Sequence, residues 1–302
     1  MGETYPTPTL KSVLETLQST SPPRRLPKEI EEKFFACLKL GNGTAKTTYA
    51  RRLDDVNETS NSLLPTDRPL EIMDVGISSG VSTLEWVDSL ERRGIEYHMT
   101  AVDLMISGLL IGLRDGIDVL TDTAGKPLLI DLHGKWVPYP PGKRHLIRHG
   151  LSILAVRTVL SFIAADAVAS ASNEQHAPVG KKWFTSRPVP LVYSALGCNP
   201  RVSVIRGDLL QQSSLPTGLH AIRAANILNR SYFSDRQLST IVSNLCVKLR
   251  DGGILIICRT DDDGKTAGTV FTKKSSGTVG VAARINGGSE VEELVQKLSQ
   301  AV

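Results

Sequence analysis

The chain has no run of Lys or Arg longer than a few residues, and its net charge is only +4 over 302 residues. This argues against a nucleic-acid partner, since a phosphate backbone is usually met by a dense basic stripe. Pairs such as Arg24-Arg25, Arg51-Arg52 and Lys273-Lys274 read as solvated surface. The four cysteines, Cys37, Cys198, Cys246 and Cys258, lack metal-ligand spacing. Neither a zinc site nor a disulfide framework follows from them, and a reducing compartment does. Met1-Gly-Glu-Thr-Tyr-Pro is not a charged-then-apolar leader, so the expected location is cytoplasmic. There is no internal repeat and no low-complexity segment. Leu151–Ala171 is apolar over about the length that spans a bilayer. It carries Arg157 and Asp166, however, and is expected to be a partly buried amphipathic helix with no stable membrane insertion, the alternative being a helix that docks on a membrane or a greasy substrate.

The chemistry concentrates in Leu70-Glu-Ile-Met-Asp74-Val-Gly76-Ile-Ser78-Ser-Gly80, followed by a segment able to form a helix. A short apolar run ends in an acid, and then comes a turn of small residues. That pattern is a strand, a tight loop and a helix N-terminus. Gly76 and Gly80 permit positive φ and let a ligand lie on the backbone. A second apolar run, Met99-Thr-Ala-Val-Asp103, also ends in an acid, which is suited to accepting two hydrogen bonds from a ribose diol. The spacing Gly-Ile-Ser-Ser-Gly is not the dinucleotide fingerprint, and no Gly-Lys-Ser/Thr phosphate loop occurs. Asp74 would repel phosphates and suit a cation. A nucleoside with a sulfonium and an ammonium but no phosphate is S-adenosylmethionine.

Asp74-Val-Gly76-Ile-Ser-Ser-Gly80 and Asp103 resemble the first two motifs of the class I S-adenosylmethionine-dependent methyltransferases. The resemblance implies a cofactor-binding set. Asp74 would serve the ammonium, or instead bond loop amides. Gly76, Ser78 and Gly80 would lie along the methionine and ribose, with Asp103 on the diol and Leu104 against adenine. Asp208 would take the adenine amino group and the Leu209 amide a ring nitrogen, although Asp208 also reads as a helix cap. Asn226 lies where such enzymes often place a residue facing cofactor or substrate. Asn226, Arg230 and Tyr232 are the catalytic candidates, because Arg230 could grip a carboxylate acceptor; the same residues also read as a strand cap and helix start.

The resemblance also implies an α/β fold with a seven-stranded, mostly parallel, Rossmann-like sheet. Residues 1–68 read as an N-terminal helical region and 69–302 as the methyltransferase domain, interrupted by a helix and hairpin insertion at about 105–200. Within the insertion, Met105–Leu120 reads as helical or irregular, Pro127–Tyr139 as a hairpin, Arg144–Ala171 as a long helix and Asn173–Arg187 as an exposed loop. This layout is similar to the chemotaxis receptor methyltransferases, as is Ala225-Asn226-Ile-Leu-Asn229-Arg-Ser-Tyr232-Phe233. Their Glu-Glu-Pro-Tyr is replaced here by Val81-Ser-Thr-Leu, so the likeness extends to architecture and not to receptor glutamates.

The expected activity is methyl transfer to an oxygen or nitrogen of a small-molecule or protein acceptor. The alternative is a catalytically silent relative that binds a partner through its insertion. No Asn/Asp-Pro-Pro-aromatic motif is present, which argues against amino methylation of nucleic-acid bases. His133, His145 and His149 lack an acid to complete a metal pattern, and Asp261-Asp-Asp-Gly264 lacks the further ligands of a calcium loop, so no metal is expected.

Overall fold

A computed structural model describes residues 8–20, 24–38, 50–113, 116–172, 179–181, 184–211, 215–261 and 263–300. The chain divides into two compact units, each built from two separate stretches: Met1–Thr47 with Met105–Ala195, and Thr48–Leu104 with Leu196–Val302.

Two helices open the first unit, α1 (Leu10–Gln18) and α2 (Lys28–Cys37). In α1, Leu10, Val13, Leu14 and Leu17 are buried at helical spacing, and the Thr9 hydroxyl caps its start by accepting from the Ser12 N–H. The chain then enters the second unit through α3 (Asp54–Asn61), β1 (Leu70–Val75), α4 (Val81–Arg92) and β2 (Tyr97–Asp103).

After Leu104 the chain returns to the first unit. There it forms β3 (Ser107–Leu113), β4 (Ile117–Thr121), β5 (Pro127–Leu132), β6 (Lys135–Pro138), α5 (Lys143–Ser172), β7 (Val179–Lys181) and β8 (Phe184–Pro190). These strands make a six-stranded sheet in the order β6-β5-β4-β3-β8-β7, antiparallel throughout. The expected β5–β6 hairpin is present, turned by His133 and Gly134 at positive φ. Two other expectations are corrected. Residues 105–120 hold the strands β3 and β4 in place of helix or irregular chain. Much of 173–187, expected as loop, lies in β7 and β8; residues 173–178 and 182–183 fall outside the described set. The insertion is therefore a sheet carrying one long helix.

The short α6 (Ser194–Gly197) leads back to β9 (Val202–Arg206), β10 (Leu219–Ala225), α7 (Asp235–Lys248), β11 (Leu249–Thr260), β12 (Thr266–Lys273), β13 (Val279–Ile285) and α8 (Glu292–Gln300). The second unit is an α/β layer structure around a mixed seven-stranded sheet, ordered β13-β12-β11-β10-β1-β2-β9. The pairings β1–β2, β1–β10, β10–β11 and β2–β9 are parallel, while β11–β12 and β12–β13 are antiparallel. Ile254–Cys258 is buried along its whole length, as a central strand covered on both faces should be. Leu238, Ile241, Val242 and Leu245 of α7 pack with Met73, Val75, Ile222, Leu255 and Ile257 to form the core on one side of this sheet.

Strand order fixes where a ligand can sit. The chain leaves β1 for β2 on one side, and β10 joins β1 on the other. The crevice at the carboxyl ends of these strands is the topological switch point.

Candidate functional site

The loop after β1 is wound through three left-handed residues, Gly76 (φ +71°), Ser78 (φ +58°) and Gly80 (φ +86°). Gly80 occupies the N-cap of α4, and its amide donates to the Ile77 carbonyl at 2.9 Å. The Gly76 amide reaches across to the Val102 carbonyl at 2.8 Å, tying the loop to the end of β2. Asp103 completes the tie, since its Oδ2 accepts the Ser78 amide at 2.8 Å. The Asp103 carbonyl accepts the Gly207 amide after β9, at 3.0 Å. Asp103 is thus the junction of three strand ends. A surface-facing ribose acid would be partly exposed, but Asp103 is buried, because its carboxylate is turned into the loop it holds.

Asp74 is engaged differently from either expectation. It is buried at the end of β1, and its strand partner across β10 is Arg223. The guanidinium meets the carboxylate as a fork, with Nε donating to Oδ1 at 3.0 Å and Nη2 donating to Oδ2. The Thr83 hydroxyl also donates to Oδ2, at 2.8 Å. Arg223 gives two further donors to the Asn57 side-chain oxygen and the Ser82 carbonyl, at 2.7 and 3.0 Å. Its Cζ lies 4.4 Å from the centre of the Trp86 ring. Trp86 donates to Asn61, which donates to Ser89, so α3, α4, β1 and β10 are joined through one polar network. Beside it, burial pushes the Cys258 thiol up to about 11, against the pull of Arg223 and Arg52. That thiol stays protonated and is no nucleophile near neutral pH.

The glycines are closely covered. A Cβ added at Gly76 would stand 3.0 Å from the Cβ of Ile227, and one at Gly80 would stand 3.0 Å from Leu196 Cδ2. Each glycine therefore serves two ends, the left-handed turn and the close approach of an apolar neighbour.

Asp208 bonds its own turn, with Oδ1 accepting the Leu210 amide at 3.0 Å, as a capping residue does. Leu104 and Leu209 are half-buried beside the two acids. Asn226 sits in the left-handed region at φ +60°, and its side-chain oxygen accepts the Thr260 amide at 2.6 Å, stitching β10 to β11. The Arg230 guanidinium faces Asp235 at 3.0 Å and the Glu290 carbonyl at 2.9 Å, on an exposed surface. Tyr232 packs against the core beneath β10 and α7. His133 lies in the β5–β6 turn, and α5 is kinked at His149. Among the described residues, no group of three or more His, Cys, Asp or Glu is placed to hold a metal ion.

Arg223 is the site residue that sequence reasoning passed over. A lone cation inside Leu219-His-Ala-Ile-Arg223-Ala-Ala was its signal. A charge in a central strand needs a buried counter-charge, and Asp74 is the acid ending the neighbouring strand.

No protein-family model and no curated protein matches the chain. Among solved structures it is similar to a TehB-like S-adenosylmethionine-dependent methyltransferase from Corynebacterium glutamicum, at 12% identity over 82% of this chain and 77% of that one, with a TM-score of 0.35. It is similar also to the N-methyltransferase NodS from Bradyrhizobium japonicum, solved with S-adenosyl-L-homocysteine, at 12% identity over 71% and 65%, TM-score 0.32. A third is the CMeT domain of the citrinin polyketide synthase, at 16% identity over 67% and 32%, TM-score 0.30. The chain thus spans less than a third of the citrinin structure's length. At scores this low the functional reading rests on strand order and loop geometry.

Proposed function

We propose that this protein transfers a methyl group from S-adenosylmethionine to an oxygen or nitrogen of a small-molecule or protein acceptor. One observation carries the reading. The left-handed Gly76–Gly80 loop lies at the switch point of the parallel strands, and the acid ending the adjacent strand holds it through the Ser78 amide. That combination provides a turn that opens onto a helix N-terminus and, one strand away, an acid whose type suits a sugar diol.

The residues fit the nucleoside half of the cofactor. Asp103 would take the ribose diol, as the acid that ends the strand beside the loop and touches it at the Ser78 amide. Leu104 and Leu209 would flank the adenine, and Asp208 would meet its amino group. They do not fit an ammonium salt bridge to Asp74, because the Arg223 fork already neutralises that acid. When bound, the cofactor supplies an electrophilic methyl on a good leaving group. The chain's own part is alignment and exclusion of water, with a base needed only where the acceptor must lose a proton. Asn226 and Arg230 are already engaged with Thr260 and with Asp235 and Glu290, so their proposed part is to shape the acceptor side and not to move protons.

Calorimetric titration with S-adenosylmethionine and S-adenosylhomocysteine tests the reading directly. Saturable binding of both is expected, and its absence from folded protein would end the proposal. Labelled methyl followed into protein, lipid and small-molecule fractions of a cell extract then names the acceptor class. A second reading, a binding protein that has kept the loop and lost transfer, is favoured by the neutralised Asp74 and by the close cover of Gly76 and Gly80. Binding without transfer into any fraction would select it.

A further inference from the structure

The long helix α5 has apolar residues on two opposite sides. Ile153, Val156 and Leu160 are buried against Ile111, Val119 and Ile130 of the antiparallel sheet. This is the face a packed amphipathic helix should have. The other side should then be polar, and it is not. Leu151 is 86% exposed, Leu154 59% and Phe162 77%. At 100° per residue these three fall within an arc of roughly 80°, about 180° from the buried side. Ile147, on the turn before the kink at His149, is 86% exposed as well. Large apolar side chains repeated along one helix face are rarely left to water without a partner.

The charges around the stripe say what kind of partner fits. From Lys143 to Phe162 there are four cations, Lys143, Arg144, Arg148 and Arg157, and no Asp or Glu. All four cations are exposed. Two copies of this helix laid stripe to stripe would set four cations from each against a single acid, Asp166, which opposes self-association. A negatively charged lipid surface answers both features at once. It takes large apolar side chains into the headgroup boundary and attracts the basic residues beside them. Among the described residues no helix is long and apolar enough to cross a membrane, so the contact is with one face of a bilayer.

We infer that the outer face of α5, with Ile147, Leu151, Leu154 and Phe162 as apolar anchors and Arg144 and Arg148 as charge contacts, docks on an anionic membrane surface. This inference is independent of the methyl-transfer reading. It assigns the helix two tasks, an inner side that completes the antiparallel sheet's core and an outer side that meets lipid.

Co-sedimentation of the full chain with vesicles tests it. Phosphatidylcholine vesicles containing phosphatidylserine should bind the protein, phosphatidylcholine alone should bind it far less, and added salt should weaken the contact. The double variant Leu151→Gln, Phe162→Gln should lose roughly tenfold or more in binding. Its circular dichroism and urea midpoint should match the parent's, because both side chains point away from the core. Arg144→Glu with Arg148→Glu should abolish the preference for phosphatidylserine. Phe162→Trp gives a second measurement, a blue shift of emission on anionic vesicles. Failure of the parent to bind anionic vesicles would overturn the inference. So would equal binding by the parent and the folded Gln variant, or a dimer in sedimentation equilibrium that this variant disperses.

Discussion

A guanidinium placed inside a sheet loses its hydration, and only a counter-charge together with a full set of hydrogen bonds makes that tolerable. Arg223 has the Asp74 counter-charge and four hydrogen bonds, and losing it would leave the buried Asp74 without its ion-pair partner. Arg223→Met is therefore expected to destabilise the protein by about 3–5 kcal/mol, read from urea denaturation. Adding Asp74→Leu in the same chain should recover much of the loss, since an apolar pair can replace a buried ionic one. A second substitution that makes matters worse would show that the neighbours of the pair, and not its charge, dominate. Asp103→Ala should weaken S-adenosylmethionine binding on the order of tenfold to several hundredfold, because bonds to a charged acceptor contribute about 1.5–3 kcal/mol each. It should also cost about 1–2 kcal/mol of stability, as the Ser78 amide loses its acceptor. Calorimetry and denaturation together check both parts, and undiminished affinity would remove the ribose assignment. The types and places of Asp74, Gly76, Gly80 and Asp103 were legible in the sequence. That Asp103 turns inward and Asp74 is neutralised was not, because both facts depend on which strands lie side by side.

Among the elements, α7 shows local rules at work. The Ser234 side chain accepts the Gln237 amide at 3.4 Å and the Gln237 side chain accepts the Ser234 amide at 3.0 Å, a reciprocal cap. Ser234→Ala should cost about 1 kcal/mol, visible as a lower urea midpoint with an unchanged slope. An unmoved midpoint would mean that packing against the sheet alone fixes the end of α7. β1 and β2, short apolar runs with an acid near the end, could be placed from sequence to within a few residues. Three others could not. Leu109–Leu113 and Ile117–Thr121 are short apolar runs, whose period does not separate strand from helix. Phe184–Pro190 contains Pro188 and Pro190, which argue against a strand. Among the described residues β7 pairs with residues 184–186 of β8, and beyond Ser186 that strand is paired with β3. Both prolines fall on the same side of its backbone, and a strand paired on one side accommodates them. For α5 the expectation of a single apolar face gave way to two, a pattern that period counting averages out.

Over the whole molecule, each unit buries a tyrosine whose ionisation it resists. Burial, aided by a hydrogen bond to Glu91, pushes the Tyr97 hydroxyl up to about 12. Burial, with Glu31 nearby, pushes Tyr193 up further still. Both groups titrate later in the folded protein than in the unfolded chain. Their contribution is complete below the ordinary tyrosine value near 10 and is lost as pH rises through the folded values. Stability should hold to about pH 10 and then fall towards pH 12, and replacing Tyr97 and Tyr193 by Phe should flatten that fall in urea denaturation. An equally steep fall in the folded double variant would contradict the burial argument. At this scale the sequence revealed the alternation of strand and helix on either side of residues 105–200. It did not reveal how the N-terminal helices are shared out, with α1 and α2 in one unit and α3 in the other, because no local pattern encodes which sheet a helix will cover.

The split course of the chain has a consequence for its synthesis. β1 and β2 leave the ribosome early, but β10, the other neighbour of β1, follows only after all of residues 105–195. At typical elongation speeds the roughly 115 residues from Leu104 to Leu219 take about 6–23 s. During that interval one edge of β1 has no strand beside it, and Asp74 waits for a guanidinium not yet translated. The intervening stretch can meanwhile complete its own sheet with the N-terminal helices already made. The nascent protein thus exposes a half-built parallel sheet after the antiparallel one is complete, a period in which a chaperone would find its substrate.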